Sequence, residues 1–378
     1  IRTEVVTVLR NCKSMENHGG SRYQQLAAGT VFNLLDVLER WASEHFGLEI
    51  YSTEVNRIKS FLRSVPEELV VEASEHCQSF ARAIMHYESL MKSTSLPMHT
   101  HLAKLQEFYS EMSEADGVEG ALIQIRKLRE PTPREWTLAY EVVGDYSEAM
   151  PFHQIAAETT NQHSAQAQLR LMQCVLRQNQ PQMVHHYMQG LLNDSSLTDS
   201  MTTVERKQLK AVQVEAAWKL RNWDSLKILT SDKTSVDTSC WGVMVGNLLL
   251  SVQNNSRESL EYDLKAARMD LLQPLLASTV ESSSYERIYG YICKLHILSE
   301  IEQIGYMLLN SENTSPVILD DLLVSWDKRR ELMQSSPKSL EPLFEVRREL
   351  FSLAANISPK VSAAEQKCWL ESAKIGKH

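Results

Sequence analysis

The sequence predicts an all-α protein made of stacked helical hairpins, and three observations carry that expectation. The chain of 378 residues holds only 13 Gly and 11 Pro. Leu, Ala, Glu, Gln and Ser are abundant, and long alternating runs of β-branched residues are missing, which favours helix nearly throughout. Apolar residues recur at three- and four-residue spacing along most of the chain. The third observation is the stretch Ala139–Glu158, AYEVVGDYSEAMPFHQIAAE, in which small Ala139, Gly144, Ala149 and Ala156 alternate with bulky Tyr140, Tyr146 and Phe152. Small residues let two antiparallel helices approach closely, and Gly144-Asp145 suits the tight turn between them, since Gly tolerates positive φ and Asp can bond its own backbone.

This is the helix–turn–helix pattern of a tetratricopeptide (TPR) unit, which cannot bury its apolar face alone and calls for neighbours on both sides. The expected architecture is a curved α-solenoid of degenerate TPR- and HEAT-like hairpins. Along the chain, Val5, Val6 and Leu9 begin a helix, followed by a polar stretch over Asn11–Gln25 with His18-Gly19-Gly20 that reads as a loop. Val31, Leu34, Leu35, Leu38, Trp41 and Ala42 make a helical stripe ending near Gly47, and Val55, Ile58, Phe61 and Leu62 repeat the spacing. Pro66 starts a helix with Glu67 and Glu68 in its first turn, where the macrodipole favours acids.

Phe80 and Ala83 occupy the places that Tyr146 and Ala149 hold in the opening hairpin, 66 positions later, near two repeats. Between them, Leu102–Met112 and Val118–Leu128 form the intervening unit, with Asp116-Gly117 read as its break. VEAAWKLRNWDSL gives a third copy: Ala216 and Ala217 form the inner face, and Trp223 stands where Tyr146 does, 77 positions on. The signature residues are therefore Phe80, Ala83, Gly144, Tyr146, Ala149, Ala216, Ala217 and Trp223, and their expected role is packing rather than ligand contact. Later helices are expected at Trp241–Val252, Ser259–Met269, Tyr285–Ile301 and Leu319–Met333, with Pro274 and Pro316 as breakers. Pro342 is expected to open a long helix, and a last one starts at Lys360.

A net charge of −9 argues against a free-standing nucleic-acid binder, which needs a basic surface. No apolar run reaches membrane-spanning length, because Gly246 and Asn247 interrupt the most apolar one. Cys12, Cys77, Cys174, Cys240, Cys293 and Cys368 are scattered without a C-x-x-C pair and read as reduced core residues. The chain begins at Ile1 rather than Met and is expected to be an internal piece of something larger.

Catalytic and cofactor-binding motifs are missing: there is no G-x-x-x-x-G-K-[ST], G-x-G-x-x-G after a strand, H-R-D, D-F-G, G-x-S-x-G or H-E-x-x-H. His99 with His101, and His185 with His186, lack Cys or carboxylate partners at zinc-ligand spacing, and His296 reads as a core histidine. Asp320-Asp321 lacks the third acid that would converge on magnesium and reads as a helix-terminal pair. The expectation is no catalytic, cofactor or metal site in this chain.

Four blocks, EASEHCQSFARAIMHYES, VEAAWKLRNWDSL, SSYERIYGYICKLHILSEIE and EQKCWLESAK, are similar to the FAT region of the phosphatidylinositol-3-kinase-related protein kinases, in their DNA-damage checkpoint branch. TVFNLLDVLERW (Thr30–Trp41) resembles the helix just before that region. The resemblance implies residues 1–62 as the last helices of a preceding HEAT-like array and 63–378 as the N-terminal and central part of a FAT domain. The kinase domain that such a region clasps is absent from this chain, so ATP and Mg are implied only for the parent. It further implies a nuclear serine/threonine kinase responding to replication stress, with an obligate partner that brings it to protein-coated single-stranded DNA, an activator protein, and a dimer of heterodimers. No membrane and no direct nucleic-acid contact are implied. The alternatives from the residues themselves are a free TPR adaptor holding peptide tails in a groove of Lys, Asn and Arg, and an all-α enzyme.

Overall fold

The computed structural model describes residues 2–12, 21–93, 96–159, 165–193, 201–231, 236–280, 285–309, 316–355 and 359–375. Among the described residues every regular element is a helix, so the all-α class holds. His18-Gly19-Gly20 and most of the Asn193–Thr203 connector lie outside them.

The chain divides into two compact units. The first comprises Ile1–Val142 and Gln273–Ile288. It contains α1 (Arg2–Asn11), α2 (Ser21–Glu44), a 3-10 turn at Glu49–Tyr51, α3 (Ser52–Arg63), α4 (Glu67–His76), α5 (Phe80–Ser93), α6 (Met98–Glu111), α7 (Ala115–Leu128) and nearly all of α8 (Pro133–Val143). Helices that follow one another pack on one another: α1 on α2, α2 on α3, α4 on α5, α5 on α6, and α6 on α7. Each can hide its apolar stripe only against the next, which is the logic of a repeat array. The buried face of α2 is Ala28, Phe32, Leu35 and Ala42, whereas Leu34 from the expected stripe points outward. Asp36 on α2 takes both ends of the Arg82 guanidinium from α5, at 2.7 and 2.6 Å, and Arg82 also lies over the Phe32 ring.

The second unit comprises Val143–Leu272 and Tyr289–His378. It holds α9 (Tyr146–Thr159), α10 (Ala165–Arg177), α11 (Pro181–Asn193), α12 (Thr203–Lys219), α13 (Trp223–Thr230), α14 (Trp241–Gln253), α17 (Pro316–Leu332), α18 (Pro337–Ala354) and α19 (Pro359–Ile375). The long helices α15 (Arg257–Val280) and α16 (Tyr285–Leu309) contribute residues to both units. Here too neighbours pack, α9 on α10, α11 on α12, α12 on α14 and α18 on α19. α12 opens with a full capping box, in which the Thr202 hydroxyl accepts from the Glu205 amide while Glu205 reaches back to the Thr202 amide. The core gathers Trp218, Leu226, Leu248, Leu249, Leu260, Ile301, Ile304, Trp326, Phe344 and Leu350.

One backbone device recurs through the chain. Gln78, Ser113, Asn179, Arg221 and Asn255 have φ between 51° and 60°, and Gly144 has φ 92°. Apart from Gly144, these are non-glycine residues in the left-handed region, where an L side chain is strained. A helix starts two residues after each, at Phe80, Ala115, Tyr146, Pro181, Trp223 and Arg257. Five residues after each comes Ala83, Val118, Ala149, Val184, Leu226 or Leu260, every one at most 1% exposed. The amide just after the left-handed residue donates back to a carbonyl five residues earlier at Ser79→Ser74, Glu114→Tyr109, Gln180→Val175, Asn222→Ala217 and Ser256→Ser251. This is the Schellman closure, which satisfies carbonyls at a helix end and turns the chain sharply into the next helix. The turns are 31 to 42 positions apart.

Four local expectations change. α2 already begins at Ser21, inside the expected Asn11–Gln25 loop. Asp116-Gly117 lies inside α7, and the break is at Ser113, where the left-handed backbone ends α6. Pro274 and Pro342 lie inside α15 and α18. α18 instead begins at Pro337, and its core residues Leu340, Leu343 and Phe344 bury both sides of Pro342, outweighing the one hydrogen bond that proline forfeits. The boundary of the two units falls between Val142 and Val143, within Ala139–Glu158.

Candidate functional site

The eight signature residues are structural positions of the repeat turns. Phe80, Tyr146 and Trp223 each stand at the first residue of the helix after a left-handed turn. Ala83 and Ala149 are fully buried one turn further along, and Leu226 takes that place after Trp223. Ala216 and Ala217 are fully buried in the last turn of the helix before Arg221. Phe80 is 7% exposed and packs on Phe108, while Tyr146 and Trp223 are half-buried. Gly144 is the one glycine among these turn residues and carries no Cβ penalty there.

The histidines lie where they pack. His101 is buried with Nδ1 3.1 Å from the Tyr87 hydroxyl. His185 is buried beside exposed His186, and burial, then its neighbour, hold its pKa below the usual histidine value. His296 is likewise pushed down by burial and by Arg329. Asp320 pairs with Lys360 of α19 at 2.5 Å, a full turn past the start of α17. Among the described residues no group of three or more His, Cys, Asp or Glu is arranged to hold a metal ion, and no helix is long and apolar enough to cross a membrane.

What sequence reading missed lies in the second unit, where α12 ends against α18 and α19. A groove of about 570 Å³ opens there, lined by Asn179–Met183, Trp218–Arg221, Glu345, Arg348, Glu349 and Trp369. Two successive left-handed turns, at Asn179 and Arg221, form part of its rim. The left-handed conformation of Arg221 aims its guanidinium at α18 and α19. Nε donates to Glu349 at 3.0 and 3.2 Å, and Nη2 donates to the Arg348 carbonyl at 3.2 Å and to Glu365 at 2.7 Å. The strain of roughly 1 kcal/mol for such a residue is offset by these charge-assisted bonds.

Next to it, Lys219 bonds Glu345 at 3.0 Å and Glu215 at 3.2 Å, with only 7% of its side chain exposed. Burial works against the ammonium, but Glu215 and Glu345 outweigh it and hold the Lys219 pKa above the usual lysine value. Glu345 is pushed up by burial, which exceeds the pull of Lys219, and burial raises Glu349 to about 7. Arg348 lies 4.2 Å from the Trp369 ring, donates to Ser372 at 2.7 Å and pairs with Glu341 at 3.0 Å.

Elsewhere in the same unit, α16, α17 and α18 meet at a second ion pair. Glu300 is 1% exposed and accepts from Arg347 at 2.6 and 2.7 Å and from Arg329 at 3.3 Å. Arg347 also donates to the Trp326 carbonyl at 3.1 Å and lies over its ring, while Trp326 Nε1 donates to Gln303 at 2.7 Å. Nearly every charged group of the site is spent on another helix of the same unit. Chemically the arrangement can tie helices, and it presents neither a nucleophile with its base nor a phosphate cradle. No short motif announces it, because Lys219 and Arg221 lie 126 to 144 positions from their partners.

Residues 210–377 match the model of the FAT domain, and residues 1–129 match that of the M-HEAT region of serine/threonine-protein kinase ATR. Serine/threonine-protein kinase ATR of Oryza sativa subsp. indica is 24% identical over 348 residues, covering 85% of this chain and 12% of that protein. The Arabidopsis thaliana protein of the same name is 24% identical over 439 residues, covering 99% of this chain and 15% of its own length. In Drosophila melanogaster the figures are 22% over 386 residues, 95% and 15%. The chain thus spans less than one sixth of the relatives it matches. The groove and the buried pair both fall within the FAT match, apart from its rim at Asn179–Met183. The chain is an ATR-like FAT region with M-HEAT helices before it, from the phosphatidylinositol-3-kinase-related protein kinase family.

Proposed function

We propose that this chain is a non-catalytic scaffold of an ATR-like serine/threonine protein kinase that signals DNA damage and replication stress. It clamps and regulates a kinase domain supplied elsewhere in the parent protein and supports assembly of the complex. The observation that carries this reading is the commitment of the FAT region's charged side chains to helix–helix ties, with Lys219, Arg221, Arg347 and Arg348 each held by carboxylates. A unit locked in this way transmits a displacement at one helix to the others, because packed, ion-paired elements move as bodies rather than deform continuously.

In this reading ATP and Mg act in the parent's kinase domain. The partners are that kinase domain, an ATRIP-like obligate subunit and a second copy of the heterodimer, and the complex works in the nucleus without direct contact of this chain with nucleic acid or membrane. Incubating the purified chain with ATP, Mg and a Ser/Thr protein substrate tests the non-catalytic part. No phosphate transfer is expected, and transfer that survives repurification would overturn the proposal.

A further inference from the structure

We propose that the groove between α11, α12, α18 and α19 is a docking site for an extended segment of a partner protein that carries an arginine or lysine beside a bulky apolar residue. At about 570 Å³ the cleft can take in a few side chains. Its ion-pair network is acidic in balance. The cations of the lining are Lys219, Arg221 and Arg348, and each is already bonded: Lys219 to Glu215 and Glu345, Arg221 to Glu349 and Glu365, and Arg348 to Glu341. With all five carboxylates ionised against three cations, the network keeps an excess of negative charge, which disfavours a phosphate or an acidic peptide and favours a basic one. Glu345 and Glu349 line the groove itself, and a carboxylate has more acceptor positions than Lys219 and Arg221 fill. Burial keeps both carboxyls above the usual carboxylate value although those cations pull the other way, so an incoming guanidinium or ammonium gains a charge-assisted bond there.

The rest of the lining suits the chain around that cation. Asn179, Gln180 and Gln182, in and just after the left-handed turn before α11, present three exposed side-chain amides to the groove. Each amide has both a donor and an acceptor, which is what a peptide unit of an extended backbone needs in return. Met183, 50% exposed, and Trp369, 52% exposed, add a thioether and an indole to the same groove, and an apolar side chain laid on them leaves water. The Trp369 ring is already held 4.2 Å from the Arg348 guanidinium, so little freedom is lost when a ligand covers it. A free cation would use the carboxylates alone, whereas a peptide uses the acids, the amides and the apolar pair together. The inference goes beyond the scaffold role, because it concerns what this chain binds by itself.

The probe is the acetylated and amidated peptide Ser-Arg-Leu-Ser-Arg-Leu carrying fluorescein, titrated with the full 378-residue chain and followed by anisotropy. Saturable binding is expected, and the peptide with glutamate in place of both arginines should bind at least about tenfold more weakly. Trp369→Ala should weaken the arginine peptide about tenfold. Gln182→Ala, at an exposed position whose loss leaves the fold intact, should weaken it about fivefold. Glu258→Gln, exposed on α15 outside the groove, should leave binding unchanged, which separates the site from general attraction to a chain of net charge −9. Absence of saturable binding, equal affinity for the arginine and glutamate peptides, or full affinity in both Trp369→Ala and Gln182→Ala overturns the proposal. So does a dimer in sedimentation that Trp369→Ala dissolves, because the groove then belongs to a second copy of this chain.

Discussion

Glu300 and Arg347 offer the sharpest test of how the second unit is held together. The side chains are 1% and 4% exposed and joined through two bonds of 2.6 and 2.7 Å. Glu300→Gln removes the charge that answers Arg347 and leaves a guanidinium buried among Trp326, Phe344 and Phe351. Breaking a buried pair from one side costs about 3–5 kcal/mol, most of it the stranded charge. Arg347→Met leaves Glu300 with Arg329, 3.3 Å away and 20% exposed, so the loss should sit at the lower end of that range. The double variant strands neither group and puts an apolar chain beside Trp326, so it should recover at least about 2 kcal/mol of the summed single losses. Urea unfolding followed by tryptophan fluorescence suits the assay, because Trp326 lies 5.1 Å from the Arg347 guanidinium. Single losses below about 1 kcal/mol, or strict additivity in the double variant, would refute the claim that this pair is buried and coupled.

Other outcomes follow from single sites. Glu349 titrates near 7 in the folded chain against an ordinary 4.5. The folded state therefore keeps a proton that the unfolded state loses, and this carboxyl's contribution to stability falls as pH rises from about 4.5 through 7. Relative to wild type, Glu349→Gln should gain up to about 3 kcal/mol between pH 5 and pH 8, read from urea midpoints, and a flat difference would contradict the raised value. On α16, an added Cβ at Gly305 would meet Leu260 at 2.7 Å and Val252 at 3.2 Å, whereas at Gly290 it would meet nothing within 4 Å. Gly305→Ala should lower stability by about 1–3 kcal/mol through overpacking, while Gly290→Ala should raise it by about 0.5–1 kcal/mol through helix propensity; thermal midpoints moving the same way would sink this contrast. Ala149 is 0% exposed on the inner face of α9, and Ala149→Leu should cost about 1–3 kcal/mol, an unchanged midpoint being the contrary result.

The fold was legible where local chemistry decides it. Small-residue spacing found Ala83, Ala149, Ala216 and Ala217, all of them fully buried, because close helix approach admits few side chains. The equivalence of Phe80, Tyr146 and Trp223 was visible because one turn geometry precedes each. Five of the six left-handed turns divide the chain at Gln78, Ser113, Asn179, Arg221 and Asn255 without a glycine to mark them. Hence Asp116-Gly117 drew the break three residues too late, and the turn at Gln78 passed unseen. A boundary near residue 62 likewise has no mark in the packing, since Phe61, Leu62 and Val65 share one cluster with Val70 and Ala73. The groove was illegible for a different reason. Arg221, Glu349 and Glu365 meet only after α18 and α19 fold back onto the end of α12, and a lone Arg, Glu or Lys on a helix reads as a solvated face.

The central claim, that this FAT region regulates a kinase domain through its helical frame, is tested most directly on the full-length parent kinase. Ala216→Pro and Ala217→Pro break α12 one turn before Lys219 and Arg221, the residues that tie it to α18 and α19. The measurement is phosphorylation rate with and without the activator protein, on protein shown by circular dichroism to keep the rest of its helix. The account predicts a changed basal rate or a lost activator response. Unchanged basal and stimulated rates in both variants would contradict it.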